Sequence, residues 1–368
     1  MLICTSCGRE HWLQDLCFEC RSCGSCLSLK DDPIFDPTQV DRSNQSVWRY
    51  HHAFPFGKDF SPCSLGEGGT PLLEVPVKEQ LVHFKLEQLN PTGSFKDRGS
   101  SLLITVLASI GVNQAIEDST GNAGASFAAY CARAGIRGMV FVPELAPAQK
   151  VKQIEVYGAE VVRIGGPRSK VTEAAKNSAR KGLIYASHVY NPIGLAGIAT
   201  AAFEIVEQMK SAPEVVVCPL GQGTLLLGLY RGFRSLQRGG LLRTLPRLVG
   251  VQAQVCAPLW KDFTGNQSAI ECSTERTTLA DGIRIDNPVR RQEILLALHE
   301  SHGRVLAVSE ESILRGSAEL ARRGLYVEYT SAVVWPALEH LLAEGHSGPI
   351  ATVLTGNGLK MSPCAETS

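Results

Sequence analysis

Residues 89–99 read "LNPTGSFKDRG" and set a lysine among small and turn-forming residues, just where a helical pattern begins. Pro91 and Gly93 suit a turn, and Thr92 or Ser94 suits a helix cap. Lys96 then falls in the first helical turn, against the positive end of the macrodipole, where the charged amine is disfavoured. Two readings follow. One is a capped surface turn whose lysine reaches water. The other is an amine kept neutral so that it can form a Schiff base with a carbonyl. Turn chemistry explains every residue of the stretch except the lysine.

Outward from this point, short apolar runs alternate with amphipathic segments of helical length, the pattern of a parallel sheet wrapped by helices. Strands are expected at "VHFKLEQL" (82–89), "QAIEDS" (114–119), "GMVFVP" (138–143), "AEVVRIG" (159–165) and "LIYASH" (183–188). Four more are expected at "EVVVCPL" (214–220), "RLVGVQA" (247–253), "RVLAVS" (304–309) and "PIATVLTG" (349–356). The helices between them commonly end in Gly after Arg or Lys, as helix C-termini prefer. In such open sheets, ligands gather at the C-terminal edge of the strands.

The whole chain sets the outer bounds. With 368 residues, 44% hydrophobic and 20% charged, it can bury an enzyme-sized core. Lys+Arg and Asp+Glu both total 36, so the charge asks for no polyanionic partner and nucleic acid is not expected. The longest apolar stretch, "LLITVLASIGV" (102–112), falls well short of the about 20 residues that span a bilayer. No membrane association is expected, and without a secretory pattern at "MLICTSCGREHW" the expected compartment is the cytoplasm.

Three further segments sit at strand ends. "STGNAGAS" (119–126) follows a strand and opens a helix, so its exposed N–H groups suit an anion such as a carboxylate, and Asn122 can reach a ring hydroxyl. "GQGTL" (221–225) repeats the arrangement without the lysine of a P-loop, and can hold one phosphate. "LTGNG" (354–358) puts the hydroxyl of Thr355 at the same edge. Each segment alone is also explained as a tight turn. Together they supply what pyridoxal phosphate requires: a lysine for the imine, a phosphate clamp, a partner for the pyridine nitrogen and a grip on an amino-acid carboxylate. A neutral hydroxyl as nitrogen partner favours β-elimination and β-replacement over transamination.

"SLGEGGTPL" (64–72), "LNPTGSFKDRG", "DSTGNAGAS" (118–126), "TLADGIRIDNPV" (278–289), "GLYVEYTSA" (324–332) and "VLTGNGLK" (353–360) resemble, in this order, the landmarks of fold-type II pyridoxal-phosphate enzymes, most of all the threonine synthases. The similarity runs from "VWRY" at Val47 to Lys360. It implies an α/β fold of two lobes with open, mostly parallel sheets flanked by helices: a larger cofactor-binding lobe of residues 31–94 and 188–368, and a smaller mobile lobe of residues 95–187. It makes Lys96 the Schiff-base lysine and catalytic residue, Asn122 the partner of the cofactor's ring hydroxyl, and Thr355 the partner of its pyridine nitrogen. Gly221, Gln222, Gly223, Thr224 and Leu225 would bind the cofactor phosphate, and Ser119, Thr120, Gly121, Asn122 and Ala123 the substrate carboxylate. The implied reaction converts O-phosphohomoserine and water to threonine and phosphate, in a homodimer acting on a small amino acid.

The chain departs from the family in "NPIGLAGIAT" (191–200), where Gly194, Ala196 and Ile198 replace a basic residue, Glu and Gln. The arginine that would grip the substrate phosphate is therefore missing. Asn357 stands where the family commonly carries His. A threonine/serine dehydratase, or a β-replacement enzyme on another activated amino acid, is the alternative within the fold. An inactive, zinc-bearing binding protein is the alternative outside it. Glu328 and Ser331 are read either as neighbours of the cofactor or as a packing pair, and Asp97 and Arg98 as charges paired along the helix surface.

Six of the 12 cysteines fall in the first 26 residues, marking a separate module over residues 1–30. Cys4 and Cys7, with Cys20 and Cys23, have the paired spacing of a zinc ribbon, in which thiolate coordination substitutes for a core too small to fold alone. Cys23 and Cys26 offer a second choice for the latter pair. An iron–sulfur site and unmetallated thiols are the competing readings, although the bacterial ferredoxin run has a longer last gap followed by proline, and Leu27 stands here.

Overall fold

A computed structural model describes residues 1–56, 60–265 and 277–361. The N-terminal module is an antiparallel sheet of β1 (Leu2–Cys4), β2 (Glu10–His11) and β3 (Leu27–Leu29), ordered β2-β1-β3. The connector after it is strapped to the body rather than loose: Phe35 is buried, its N–H donates to Ser235 O at 3.3 Å, and Ser235 Oγ donates to Pro33 O at 2.6 Å.

From Leu72 the chain forms β4 (Leu72–Val77), β5 (Gln80–Lys85), β6 (Gln114–Glu117), β7 (Arg137–Pro143), β8 (Glu160–Ile164), β9 (Ile184–Tyr185), β10 (Val215–Pro219), β11 (Arg247–Ala253), β12 (Arg304–Val308) and β13 (Ile350–Val353). Six of them make one sheet ordered β12-β11-β10-β13-β5-β4, and four make a second ordered β8-β7-β6-β9. Every pairing is parallel except the β4–β5 hairpin. All nine expected strands are present. The central strands β10 and β13 are buried at every residue, as a sheet covered on both faces demands.

Six helices position the site: α1 (Lys96–Ser109), α2 (Asn122–Ala134), α3 (Ala148–Val156), α4 (Arg168–Arg180), α5 (Ile193–Met209) and α6 (Thr224–Arg238). Helices α1, α2 and α6 each begin directly after a strand-end loop, which aims their N-termini at one region. Among the described residues, no helix is long and apolar enough to cross a membrane.

Asp97 and Arg98 are fully buried, not on the helix surface. Arg98 lies between two buried carboxylates, 2.7 Å from Glu87 and 2.7 Å from Glu204, and Lys85 meets Glu204 at 2.6 Å. Burial alone would raise the Glu204 carboxyl, but Arg98 and Lys85 outweigh it and hold the group well below the carboxylate range. Charged residues read as exposed because burying one unpaired is costly; here the partners lie far off in sequence and satisfy one another.

Candidate active site

The turn before α1 has the expected form, with Gly93 at φ +83° and its N–H donating to Asn90 O at 2.8 Å. Neither expected cap caps. Thr92 gives its N–H and its hydroxyl to the Asp97 carboxylate, at 2.7 and 2.6 Å, and Ser126 donates a third bond at 2.6 Å. Burial pushes Asp97 up to about 6 despite these donors. Ser94 instead forms a β-bridge to Gly356, and Phe95 N–H donates to Thr355 O at 3.1 Å. The lysine loop is thus fastened to the end of β13.

Lys96 Nζ donates to Thr224 Oγ1 at 3.1 Å, across to the first residue of α6. Burial lowers its amine from 10.5 to about 8, against the opposing pull of Glu117 and Glu328. A substantial neutral fraction near neutrality is what a nucleophilic amine requires. Gly223, at φ +79°, ends the loop before α6, and a Cβ there would lie 2.3 Å from Ile294 Cδ1. At Gly221 a Cβ would meet Ile283 Cα at 2.9 Å. Both glycines let the loop pack closely against Ile283 and Ile294.

Asn122, the first residue of α2, bridges two charged groups: Nδ2 donates to both Glu328 oxygens at 3.1 and 3.0 Å, and Oδ1 accepts from Lys360 Nζ at 2.6 Å. Gly124 is required by the turn before it, since a Cβ would fall 1.9 Å from Ser119 O. Thr355 is buried, its hydroxyl 2.9 Å from Ser331 Oγ and 3.3 Å from Glu328 Oε1. Ser331 Oγ in turn accepts the N–H groups of Thr355 at 2.8 Å and Gly356 at 3.0 Å. Glu328 therefore lines the cavity, whereas Ser331 lies buried behind Thr355 and supports it.

Lys96, residues 119–123, residues 221–225 and Thr355 all line one cavity of about 1080 Å³. Every cofactor- or substrate-binding residue expected from the sequence is on its wall. The space, the phosphate-sized backbone cradle at α6 and the lowered amine fit pyridoxal phosphate. Residues 63–356 match the family model described as "Pyridoxal-phosphate dependent enzyme".

The chain belongs to this pyridoxal-phosphate-dependent enzyme family.

Among its relatives, a threonine synthase from Methanocaldococcus jannaschii is 34% identical over 375 residues, covering 97% of this chain and 92% of the relative. A threonine synthase from Mycobacterium tuberculosis is 36% identical over 321 residues, covering 84% and 87%. Of solved structures, a threonine deaminase from T.th. superposes with a TM-score of 0.67 at 28% identity, over 80% of this chain and 94% of the other. Maize serine racemase shares the fold, with a TM-score of 0.67 at 19% identity over 78% and 88%.

Two further residues of this family member went unread in the sequence, His188 on the cavity wall and Glu117 beside it. Glu117 is the last residue of β6, and His188 stands three residues beyond β9, the strand beside it. His188 Nδ1 lies 2.8 Å from Glu117 Oε1, and its N–H donates to Glu117 Oε2 at 3.1 Å. The signal available was a polar residue at the C-terminal end of each of two strands, where enzymes of open sheets keep their chemistry. At the departure noted above, Gly194 packs on α1, where a Gly99 Cβ would come within 3.1 Å of Gly194 O. Among the described residues, the cations on the cavity wall besides Lys96 are Lys152, Arg168, Arg284 and Lys360.

In the N-terminal module, Cys4 Sγ lies 3.4 Å from Cys23 Sγ and Cys7 Sγ 3.7 Å from Cys20 Sγ, with all four sulfurs within 4.8 Å of one another. Tetrahedral zinc with bonds of about 2.3 Å places its sulfurs about 3.8 Å apart, so the four residues fit that ion. Cys26 is not in this group; its Sγ lies 3.8 Å from Val289 O.

Proposed function

We propose that this chain is a threonine synthase, converting O-phosphohomoserine and water to threonine and phosphate. One observation carries the reading: Lys96, Thr224, Asn122 and Thr355 converge on a single cavity in a chain whose threonine synthase relatives match it over most of its length. The bound cofactor supplies an electron sink for carbanions at the substrate's α and β carbons. Lys96 holds the cofactor and, once displaced by the substrate amine, moves protons at those carbons. The N–H groups of 119–123 orient the substrate carboxylate, and the backbone of 221–225 with the Thr224 hydroxyl holds the cofactor phosphate. Asn122 orients the cofactor ring. Thr355, kept neutral and hydrogen-bonded to Ser331, leaves the ring nitrogen without a full counter-charge. With Gly194 in place of a basic residue, the substrate phosphate is met by cations elsewhere on the wall, Lys152 and Arg168 among them.

We also assign Cys4, Cys7, Cys20 and Cys23 to a structural zinc ion, on the fit of their sulfurs to tetrahedral coordination. The reading carries with it a cytoplasmic homodimer with a smaller lobe closing on the larger, which sedimentation and substrate-dependent small-angle scattering test.

The second reading, a threonine/serine dehydratase, is favoured by one feature, the uncharged Gly194. Purified holoenzyme given O-phosphohomoserine is expected to release phosphate and threonine together. Absence of phosphate release at saturating substrate, with 2-oxobutyrate formed from threonine, selects the dehydratase. No visible absorbance from bound cofactor, in wild type and Lys96→Ala alike, would select a non-enzymatic binding protein.

A further inference from the structure

Behind Lys96 lies a second, much smaller space of about 20 Å³. It is lined by Lys96, Ser100, Glu117, Phe127, His188 and Gly194 among others. A site of about 10–15 Å³ with two to four polar partners holds one water molecule. This one has the volume, and Lys96, Ser100, Glu117 and His188 supply the partners. Residue 194 being glycine, α5 contributes the Ile198 side chain to its wall but none from position 194.

His188 is arranged as a base. Glu117 occupies its Nδ1, which fixes the tautomer and leaves Nε2 as the working nitrogen. The ring lines both the large cavity and the small one, and its side chain is 23% exposed. Glu117 is almost wholly enclosed, with 1% of its side chain exposed.

We propose that the small space seats the water consumed in the reaction, that His188 removes its proton, and that Glu117 positions His188. The inference rests on the threonine synthase reading and names a catalytic residue that reading leaves open. As the water oxygen bonds to the substrate's β carbon, its proton passes to His188 Nε2. The electron pair displaced from the β carbon comes to rest at the α carbon, which Lys96 protonates. His188 returns its proton to solvent as threonine leaves. In reverse, His188 protonates the departing β-hydroxyl of threonine.

The surroundings favour a neutral imidazole. Burial first, then the Lys96 charge, hold His188 well below 6.5, whereas burial first, then Asp118, push Glu117 up to about 8. The other groups acting on the pair are Arg168 of α4, Cys131 of α2 and Tyr185 of β9. Below about 8 the pair keeps the proton that Glu117 must lose before Nε2 can accept one. Water addition therefore gains strength as pH rises through that value.

The test compares wild-type holoenzyme with His188→Asn, Glu117→Gln and Glu117→Asp. Equal visible absorbance of bound cofactor shows that each variant is folded and loaded. With O-phosphohomoserine, His188→Asn is expected to lower the ratio of threonine to 2-oxobutyrate at least tenfold, because the unhydrated intermediate is lost as oxoacid. Loss of a general base costs about 100-fold in the step it serves. Glu117→Gln is expected to abolish the rise of threonine formation near pH 8, and Glu117→Asp to restore it in part. An unchanged product ratio in His188→Asn, or an unchanged pH profile in Glu117→Gln, overturns the proposal. Should wild type make no threonine, the functional reading fails, and the proposal is judged on 2-oxobutyrate release from L-threonine. A tenfold loss in His188→Asn then upholds it, and equality with wild type, or no turnover of either substrate, sinks it.

Discussion

Replacing Arg98 by methionine keeps most of the side chain's volume and removes the cation at the centre of the buried charge cluster. Arg98 donates six hydrogen bonds, to Glu87 through Nε and one terminal nitrogen, to Glu204 through both terminal nitrogens, and to the hydroxyls of Thr200 and Thr70. In the variant Glu204 keeps Lys85, whereas Glu87 keeps only the neutral donors Thr70 and Asn90. Removing one partner from a buried ion pair costs about 3–5 kcal/mol, because a charge is left enclosed without compensation. At about 2 °C per kcal/mol for a chain of this size, the apparent Tm falls by about 6–10 °C.

The sign of the pH dependence follows from the same groups. In the wild type, Glu87 and Glu204 have lowered carboxyl values, so their stabilisation is present above the ordinary carboxylate range and is lost as pH falls. Without Arg98 the Glu87 carboxyl is raised instead, and protonation relieves it, so the deficit narrows from pH 7 toward pH 4. Arg137→Met is the matched control. Its ion pair with Glu160 is just as short, 2.8 Å, but has 68% and 46% of the two side chains exposed, which limits the loss to under about 1 kcal/mol. Differential scanning fluorimetry and urea titration read both variants. A loss in Arg98→Met no larger than in Arg137→Met refutes the reasoning.

The lowered Lys96 amine predicts that cofactor-free protein captures pyridoxal phosphate at a rate that rises with pH to a midpoint near 8, followed by visible absorbance; a midpoint near 10.5 contradicts it. Gly223→Ala adds a Cβ at 2.3 Å from Ile294 in a left-handed backbone, and a penalty of about 1–3 kcal/mol at the phosphate loop weakens cofactor affinity about 5- to 150-fold by equilibrium dialysis. Unchanged affinity would show that the loop does not bear on the cofactor. Cys4→Ser is expected to lose one zinc per chain by mass spectrometry and to lower the apparent Tm, whereas Cys26→Ser keeps the metal; zinc in neither the wild type nor the variant removes the assignment.

Strands and cofactor loops were legible because each leaves a local mark. An apolar run bounded by turn residues gives β10 whatever packs on it, and a Gly-rich segment after such a run gives the loop before α6. The hairpin strand β4 was missed for an equally local reason. "LLEVPV" carries Pro76, and its two-residue turn at Lys78 and Glu79 lacks the Asn-Gly or Asp-Gly signal, with Lys78 itself taking φ +53°. What sequence could not supply was burial created by distant partners. Arg98 reads as a surface charge until Glu204, 106 residues on, is brought against it. Glu117 and His188 read as ordinary strand ends until β6 and β9 pair and set them face to face.

The place of β13 in its sheet bears on how the protein is made. It lies between β10 and β5, and the loop after it fastens the lysine turn through the Ser94–Gly356 bridge. Translation at about 5–20 residues per second takes about 10–50 s to travel from β5 to β13. Throughout that interval the nascent chain has β5 without its inner neighbour and the lysine turn without its anchor. The ribosome must therefore deliver almost the whole polypeptide before any cofactor can be held, and chains cut short before Ile350 are expected to emerge colourless and to need chaperones.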